Sequence, residues 1–163
     1  MKFTEQQIDS LLKVSQNLMK RRHADGVLED LLDIAMSTIK AERGFLVVQN
    51  DGDSEPIVRS ARNFDQNTLS ALEEISFSVI RKVIQSKEPI LTKNASTDPR
   101  FSGQESILIH GIQSVACVPL IKEDTSIGAL YMDSRGYQDL FTKQTIDYLI
   151  IVASFAVLAS RML

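Results

Sequence analysis

Near its C-terminus the chain reads YLIIVASFAVLA, from Tyr148 to Ala159, twelve residues without a charge. A helix that crosses a bilayer needs about 20 apolar residues, and Asp147 and Ser160-Arg161 bound this run on both sides. A helix that is apolar nearly all the way round has to be buried on most of its faces. The run therefore predicts a helix, opened by Thr142 as N-cap and continuing to the end of the chain, with more apolar surface than one sheet can cover. No membrane span is expected. The remainder of the 163 residues must supply the sheet, and that length suits one domain.

The other elements follow from caps and periods. Thr4 and Gln7 make a Thr-x-x-Gln capping box, with Phe3 and Ile8 at the positions of a hydrophobic staple. Ile8, Leu11, Leu12, Leu18 and Met19 then recur at helical spacing, and Lys20, Arg21 and Arg22 suit the negative end of that helix. A second helix is expected behind an Asp25 N-cap, burying Val27, Leu28, Leu31, Ile34, Ala35 and Ile39. The period then changes to β at Gly44–Gln49, with a turn signal in Asn50-Asp51-Gly52-Asp53 and a partner strand over Pro56–Asn63. A helix is predicted over Asn67–Lys87, and a short extended piece over Pro89–Leu91. Thr92–Gly103 is the one long polar stretch, in which Asp98-Pro99 reads as an N-cap with proline at the first helical position. Ser102 and Glu105 would open a short helix to His110 that Gly111 closes. Gln113–Leu120 and Ser126–Asp133 are two more strands, separated by the charged turn Lys122-Glu123-Asp124. The pattern is that of a single α+β domain.

Composition and missing motifs exclude several function classes. Eighteen Lys and Arg against 21 Asp and Glu give a net charge of −3, the wrong sign for a nucleic-acid footprint. The N-terminal MKFTEQQIDSLL has acidic and amide residues where a signal peptide needs an apolar core. With one cysteine, Cys117, no disulfide framework exists, and a reducing, cytoplasmic setting is expected. His23 and His110 are the two histidines and lack ligand-spaced neighbours, so no metal site is expected. Neither a nucleophile elbow nor a phosphate-cradling glycine loop occurs. Glu73-Glu74 reads as a solvated helical pair, and Cys117 as an inert thiol within a strand. No catalytic constellation is present.

The order of certain segments carries a resemblance. Two helices precede Glu42-Arg43-Gly44-Phe45-Leu46, and a later helix ends before Glu88-Pro89-Ile90-Leu91. Asp98-Pro99-Arg100-Phe101 follows, then Gly111-Ile112-Gln113-Ser114-Val115-Ala116-Cys117-Val118-Pro119-Leu120 and Ile127-Gly128-Ala129-Leu130-Tyr131-Met132-Asp133. Over roughly residues 7–162 this set resembles the GAF domain family of small-molecule sensors, and most of all the GAF modules of bacterial transcriptional activators and signalling kinases or cyclases. The resemblance implies an antiparallel sheet of about five to six strands, with the N- and C-terminal helices on one face and short helices and a ligand pocket on the other. Two departures matter. Cyclic-nucleotide-binding members resemble one another in an Asn-Lys…Phe…Asp-Glu signature, whereas here Lys93 precedes Asn94 and no Asp-Glu pair follows Phe101. Bilin-binding members hold their chromophore on a loop cysteine, whereas Cys117 is predicted in a strand. No covalent chromophore is expected, and the cofactor is unknown.

Two functions remain open: a sensory input module that binds a small molecule, foremost in a bacterial transcriptional regulator, and a dimerisation scaffold of a sensor kinase or nucleotide cyclase with no ligand bound. Pocket polarity separates them. The candidate ligand-binding residues are Ser60, Arg62, Asp98, Arg100, Phe101, Ser114, Ala116, Tyr131 and Asp133. Strand parity groups Ser114 with Ala116 and Val118, and Ala129 with Tyr131 and Asp133. Those two faces are expected to line the cavity together, with Leu130 and Met132 under the helices. The Asp98–Phe101 loop would be a lid, with Phe101 as apolar anchor and Arg100 paired with Asp98 or Asp133, or else free for an anionic ligand. Residues 1–23 are expected to be a dimerisation helix, 24–141 the core and 142–163 a helix leading to an output domain. A two-fold homodimer through the first and last helices would cover the surplus apolar surface.

Overall fold

The computed structural model describes residues 3–20, 24–49, 56–63, 78–95, 97–101, 111–136 and 141–160, without the side chains of 17–19, 24, 25 and 101. The turn at 50–53, the helix start over 67–77, the short helix at 103–110, the basic pair Arg21-Arg22, both histidines and Glu73-Glu74 lie outside these residues, as do the side chains of Leu18 and Met19.

Helix α1 (Glu5–Lys20) opens on the expected box, with Thr4 N donating to Gln7 Oε1 at 3.0 Å and Gln7 N to Thr4 Oγ1 at 3.1 Å. Of the expected positions Leu11 packs against the core, but the face is otherwise turned. Val14 is fully buried and Ser10 faces inward, while Ile8 and Leu12 remain 48% and 55% exposed. Phe3 packs against the core, so the staple leaves Ile8 in solvent. The reason is a polar contact that no apolar count registers, the hydroxyl pair Ser10–Tyr148. Helix α2 (Ala24–Ile39) starts one residue ahead of Asp25 and buries Val27, Leu28, Leu31, Leu32, Ala35 and Met36. It ends with Lys40 in the left-handed region and Ala41 N bonded to Met36 O at 3.1 Å, a helix-closing motif normally made by glycine.

Five strands follow: β1 (Arg43–Val48), β2 (Ile57–Arg62), β3 (Ile90–Thr92), β4 (Ser114–Lys122) and β5 (Thr125–Ser134), ordered β2-β1-β5-β4-β3, with every neighbouring pair antiparallel. Residues 78–86 form α3, and Pro99–Phe101 a 3-10 turn. Glu123 and Asp124 alone join β4 to β5, both left-handed, at φ 49° and 66°. That conformation matches the twist of a two-residue hairpin. Gly128 lets β1 and β5 approach, since a Cβ there would lie 2.1 Å from Val47 O.

Helix α4 (Lys143–Ser160) opens on Thr142, whose amide reaches Thr145 Oγ1 at 3.1 Å while Thr145 N returns to Thr142 Oγ1 at 3.3 Å. By length and composition α4 could cross a membrane, but half of it is buried inside the domain, as suits a core helix. The sheet separates two cores. One holds α1, α2 and α4 against Leu46, Val48, Ala116, Val118, Leu130 and Met132. The other holds Val79, Ile80 and Val83 of α3 against Phe45, Val47, Val115, Cys117, Ala129 and Tyr131.

Candidate functional site

Antiparallel register decides which polar groups can meet. Tyr131 lies between Phe45 and Cys117, and Asp133 between Arg43 and Val115. Directly opposed residues point to the same side of a sheet, so all six face away from the α1–α2–α4 layer. Tyr131 and Asp133 thus fall on the face expected of them, with Leu130 and Met132 beneath the helices.

Here the sheet carries a buried charged cluster. Arg43 Nε donates to Asp133 Oδ1 at 2.6 Å, and the Tyr131 hydroxyl donates to Asp133 Oδ2 at 2.7 Å. Arg43 is 2% exposed and the other two not at all. Burial pushes the Asp133 carboxyl above its usual range, while the Arg43 charge and the two hydrogen bonds oppose that shift. Each partner compensates a charge that alone would be costly to bury. Phe45 lies beside Tyr131, ring centroids 6.0 Å apart and tilted by 43°. Along the strands the surface passes from this polar end to apolar Val47 and Ala129. Both carboxylate oxygens of Asp133 are taken by Arg43 and Tyr131, and the cluster is closed off from solvent. Among the described residues of this face, Cys117 carries the one thiol. Burial pushes the Cys117 thiol far above its usual range, so the thiolate is not populated. Among the described residues no group of His, Cys, Asp and Glu could hold a metal.

The nine sequence candidates do not form one site. Ser114 and Ala116 alternate with Val115 and Cys117, and Ala116 is opposite Met132 in the helix-side core. The expected cavity joining the Ser114–Ala116 face to the Tyr131–Asp133 face therefore does not exist. Parity within each strand holds; the pairing between strands is Cys117 with Tyr131. Ser114 is buried, and its hydroxyl donates to Lys93 O at 3.3 Å. Ser60 is opposite Leu46, hence also on the helix side. Arg62 clamps α2, with Nε 2.6 Å from Asp33 Oδ1 and Nη2 3.3 Å from Asp33 Oδ2, which raises the guanidinium pKa. Four candidates are thus structural groups on the helix side. In the polar loop Arg100 takes the internal pairing. Its Nη2 reaches Asp98 Oδ2 at 2.7 Å and Leu91 O at 2.6 Å, stapling the 3-10 turn to edge strand β3. Asp98 caps that turn through the Arg100 amide at 3.0 Å. The Arg100 guanidinium holds the Asp98 carboxyl well below the usual range. The Phe101 side chain lies outside the described atoms.

Arg43 is the residue that the candidate set lacks. Its signal was a single charge at the head of a strand buried at all six positions, two residues before Phe45. Among the described residues two clefts of about 350 and 330 Å³ open on the helix side, one between α1 and α2 beside Asp9 and Lys13, the other beside Asp33 and Arg62. Both are open to solvent, and neither touches the Arg43–Asp133–Tyr131 cluster.

A single antiparallel sheet, with the terminal helices on one face and a buried polar cluster on the other, defines a two-faced α+β domain. The family model of the GAF domain matches residues 23–159. The chain belongs to the GAF domain family. No curated protein matches it. Among solved structures, the GAF domain of an Acinetobacter phosphoenolpyruvate-protein phosphotransferase is 15% identical, with 96% of this chain and 93% of that one covered at a TM-score of 0.73. A domain of a putative two-component sensor histidine kinase from Sinorhizobium meliloti 1021 is 21% identical, over 83% and 89% of the two chains, at 0.67. A free methionine-R-sulfoxide reductase from Neisseria meningitidis, solved with its substrate, is 11% identical over 99% and 93%, at 0.74. At these identities the likeness is one of fold.

Proposed function

We propose that the domain is a small-molecule-sensing regulatory module of signal transduction, and that its ligand is read on the sheet face holding Arg43, Asp133 and Tyr131. The observation that carries this reading is the buried cluster itself. A buried ion pair often stabilises no more than apolar residues of similar size, and recognition is the role proposed for this one. Family membership supports the reading, as does the sensor-kinase name of one structural neighbour. The finer proposal, the input module of a bacterial transcriptional regulator acting in the cytoplasm, rests on the Asp-x-Arg-Phe and Ser-Val-x-Cys-Val-Pro-Leu segments at 98–101 and 114–120. Binding without turnover is part of the proposal. The fold also carries a reductase, and the one cysteine of this chain, Cys117, is buried.

We further propose a homodimer through the first and last helices. Ile8 and Leu12 on α1 are 48% and 55% exposed, and Ile150 and Leu158 on α4 are 42% and 51% exposed. A two-fold partner is the commonest cover for such a surface. The scaffold alternative draws on one observation, the complete burial of Tyr131 and Asp133, which suits a face already filled by protein. Native mass spectrometry of the purified domain, with and without a metabolite mixture, separates the two. A sensor yields a dimer mass plus a defined small-molecule adduct that Tyr131→Phe weakens; a scaffold yields the bare dimer under every mixture. A strict monomer at tens of micromolar by light scattering contradicts the assembly.

A further inference from the structure

The first and last helices are joined by hydrogen bonds that constrain how they move. Gln144 Nε2 donates to Gln7 Oε1 at 3.0 Å, and the Ser10 and Tyr148 hydroxyls are 2.7 Å apart. From 7 to 10 on α1 the partner advances from 144 to 148 on α4, so the helices run side by side in the same direction. Proton counting fixes the order of the chain. Ser10 Oγ donates its one proton to Gln7 O at 2.7 Å, so the Tyr148 hydroxyl must be the donor to Ser10. Gln7 Oε1 also accepts the Thr4 amide at 3.0 Å. The capping box of α1 is therefore tied directly to α4. Ser10 is 6% exposed and Tyr148 not at all.

Apolar contacts are non-directional and tolerate sliding. A buried hydroxyl pair does not, because a shift of one helical turn, about 5.4 Å, would strip Tyr148 of its acceptor. We propose that this polar seam locks α1 and α4 in axial register. A buried polar contact between parallel helices is a known way to specify register. The register claim stands on this geometry alone. Only its consequence, that a signal would leave as a tilt or rotation of the pair, rests on the sensor reading.

Paired spin labels at the exposed Lys13 and Lys143 positions (K13C and K143C) report the register by pulsed electron–electron distances, with unlabelled protein in excess so that single subunits are read. Cys117 is buried and stays unlabelled. The unaltered seam should give one narrow distance. Ser10→Ala/Tyr148→Phe/Gln144→Ala should broaden it at least twofold, or add a second distance displaced by about one turn. Tyr148→Phe/Gln144→Ala, which removes both donors to α1 and adds no bulk, gives the same reading if the triple variant folds poorly. Val27→Ala on α2, matched for loss of thermal stability, should leave the distance narrow. An unchanged distribution in the seam variants overturns the lock, as does equal broadening in Val27→Ala. Neither result bears on ligand binding, which these variants leave to its own assay.

Discussion

Arg43, Asp133 and Tyr131 behave as one unit, and their energetics can be separated by substitution. Removing Arg43 leaves a carboxylate 0% exposed without its compensating charge. Arg43→Ala should therefore lower unfolding stability by about 3–5 kcal/mol. Arg43→Met/Asp133→Leu should cost less than either single change, because no lone charge stays buried. Urea denaturation of the set measures both. The Asp98–Arg100 pair makes a different case, since the Arg100 side chain is 45% exposed. Arg100 and the Thr92 side chain hold the Asp98 carboxyl low, so its contribution is complete above the normal carboxylate pKa and fades as pH falls below it. Asp98→Asn should cost about 1 kcal/mol at neutral pH, and the gap to the parent should close steadily as the solution is acidified below about pH 4. A gap that widens on acidification would contradict the pairing. At this scale the sequence was half legible. Parity within β4 and within β5 correctly put Tyr131 with Asp133, and Ser114 with Ala116. Which of the two β4 faces meets Tyr131 depends on register, and the Glu123-Asp124 turn that sets it does not reveal its φ values in its residue types. Arg43 went unassigned for a related reason. A charge at a strand end is usually solvated, and only the β1–β5 pairing brings Asp133 opposite it.

Among the elements, the starts of α1 and α4 were the most legible part of the chain, while the Asp25 cap expected for α2 falls inside that helix. Thr4 with Gln7 and Thr142 with Thr145 make reciprocal side-chain and backbone bonds, and such caps are local, needing nothing beyond the next turn. The buried face of α1 was only partly legible, with Leu11 packed against the core as expected. Hydrophobicity favoured Ile8 and Leu12, but the inward positions are Ser10 and Val14, because Tyr148 on a helix 138 positions away supplies Ser10 with a partner. The β4–β5 hairpin gives a prediction of its own. Glu123 and Asp124 both adopt positive φ, a conformation that costs L-residues roughly 1–2 kcal/mol each and that Asn and Gly adopt more readily. Glu123→Asn/Asp124→Gly should thus stabilise the domain by about 1–2 kcal/mol, seen as a higher thermal midpoint with the circular dichroism spectrum unchanged. A lower midpoint would contradict the two-residue turn.

For the molecule as a whole, the sheet divides labour between its faces. The helix side fixes architecture: Arg62 ties β2 to α2, and Ser10 ties α1 to α4. The opposite side carries the charged cluster that needs a functional explanation. On the proposed reading this cluster, and no group on the helix side, reads a small molecule. A thermal-shift screen of a metabolite library tests it most directly, run in parallel on the parent, Asp133→Asn and Arg62→Ala. A compound is expected that raises the parent's midpoint by several degrees, by an amount that grows with concentration as binding linkage requires. Arg62→Ala should keep that increment above its own lower baseline, and Asp133→Asn should lose it. An increment that survives in Asp133→Asn, or disappears in Arg62→Ala, would put the ligand on the wrong face and contradict the account.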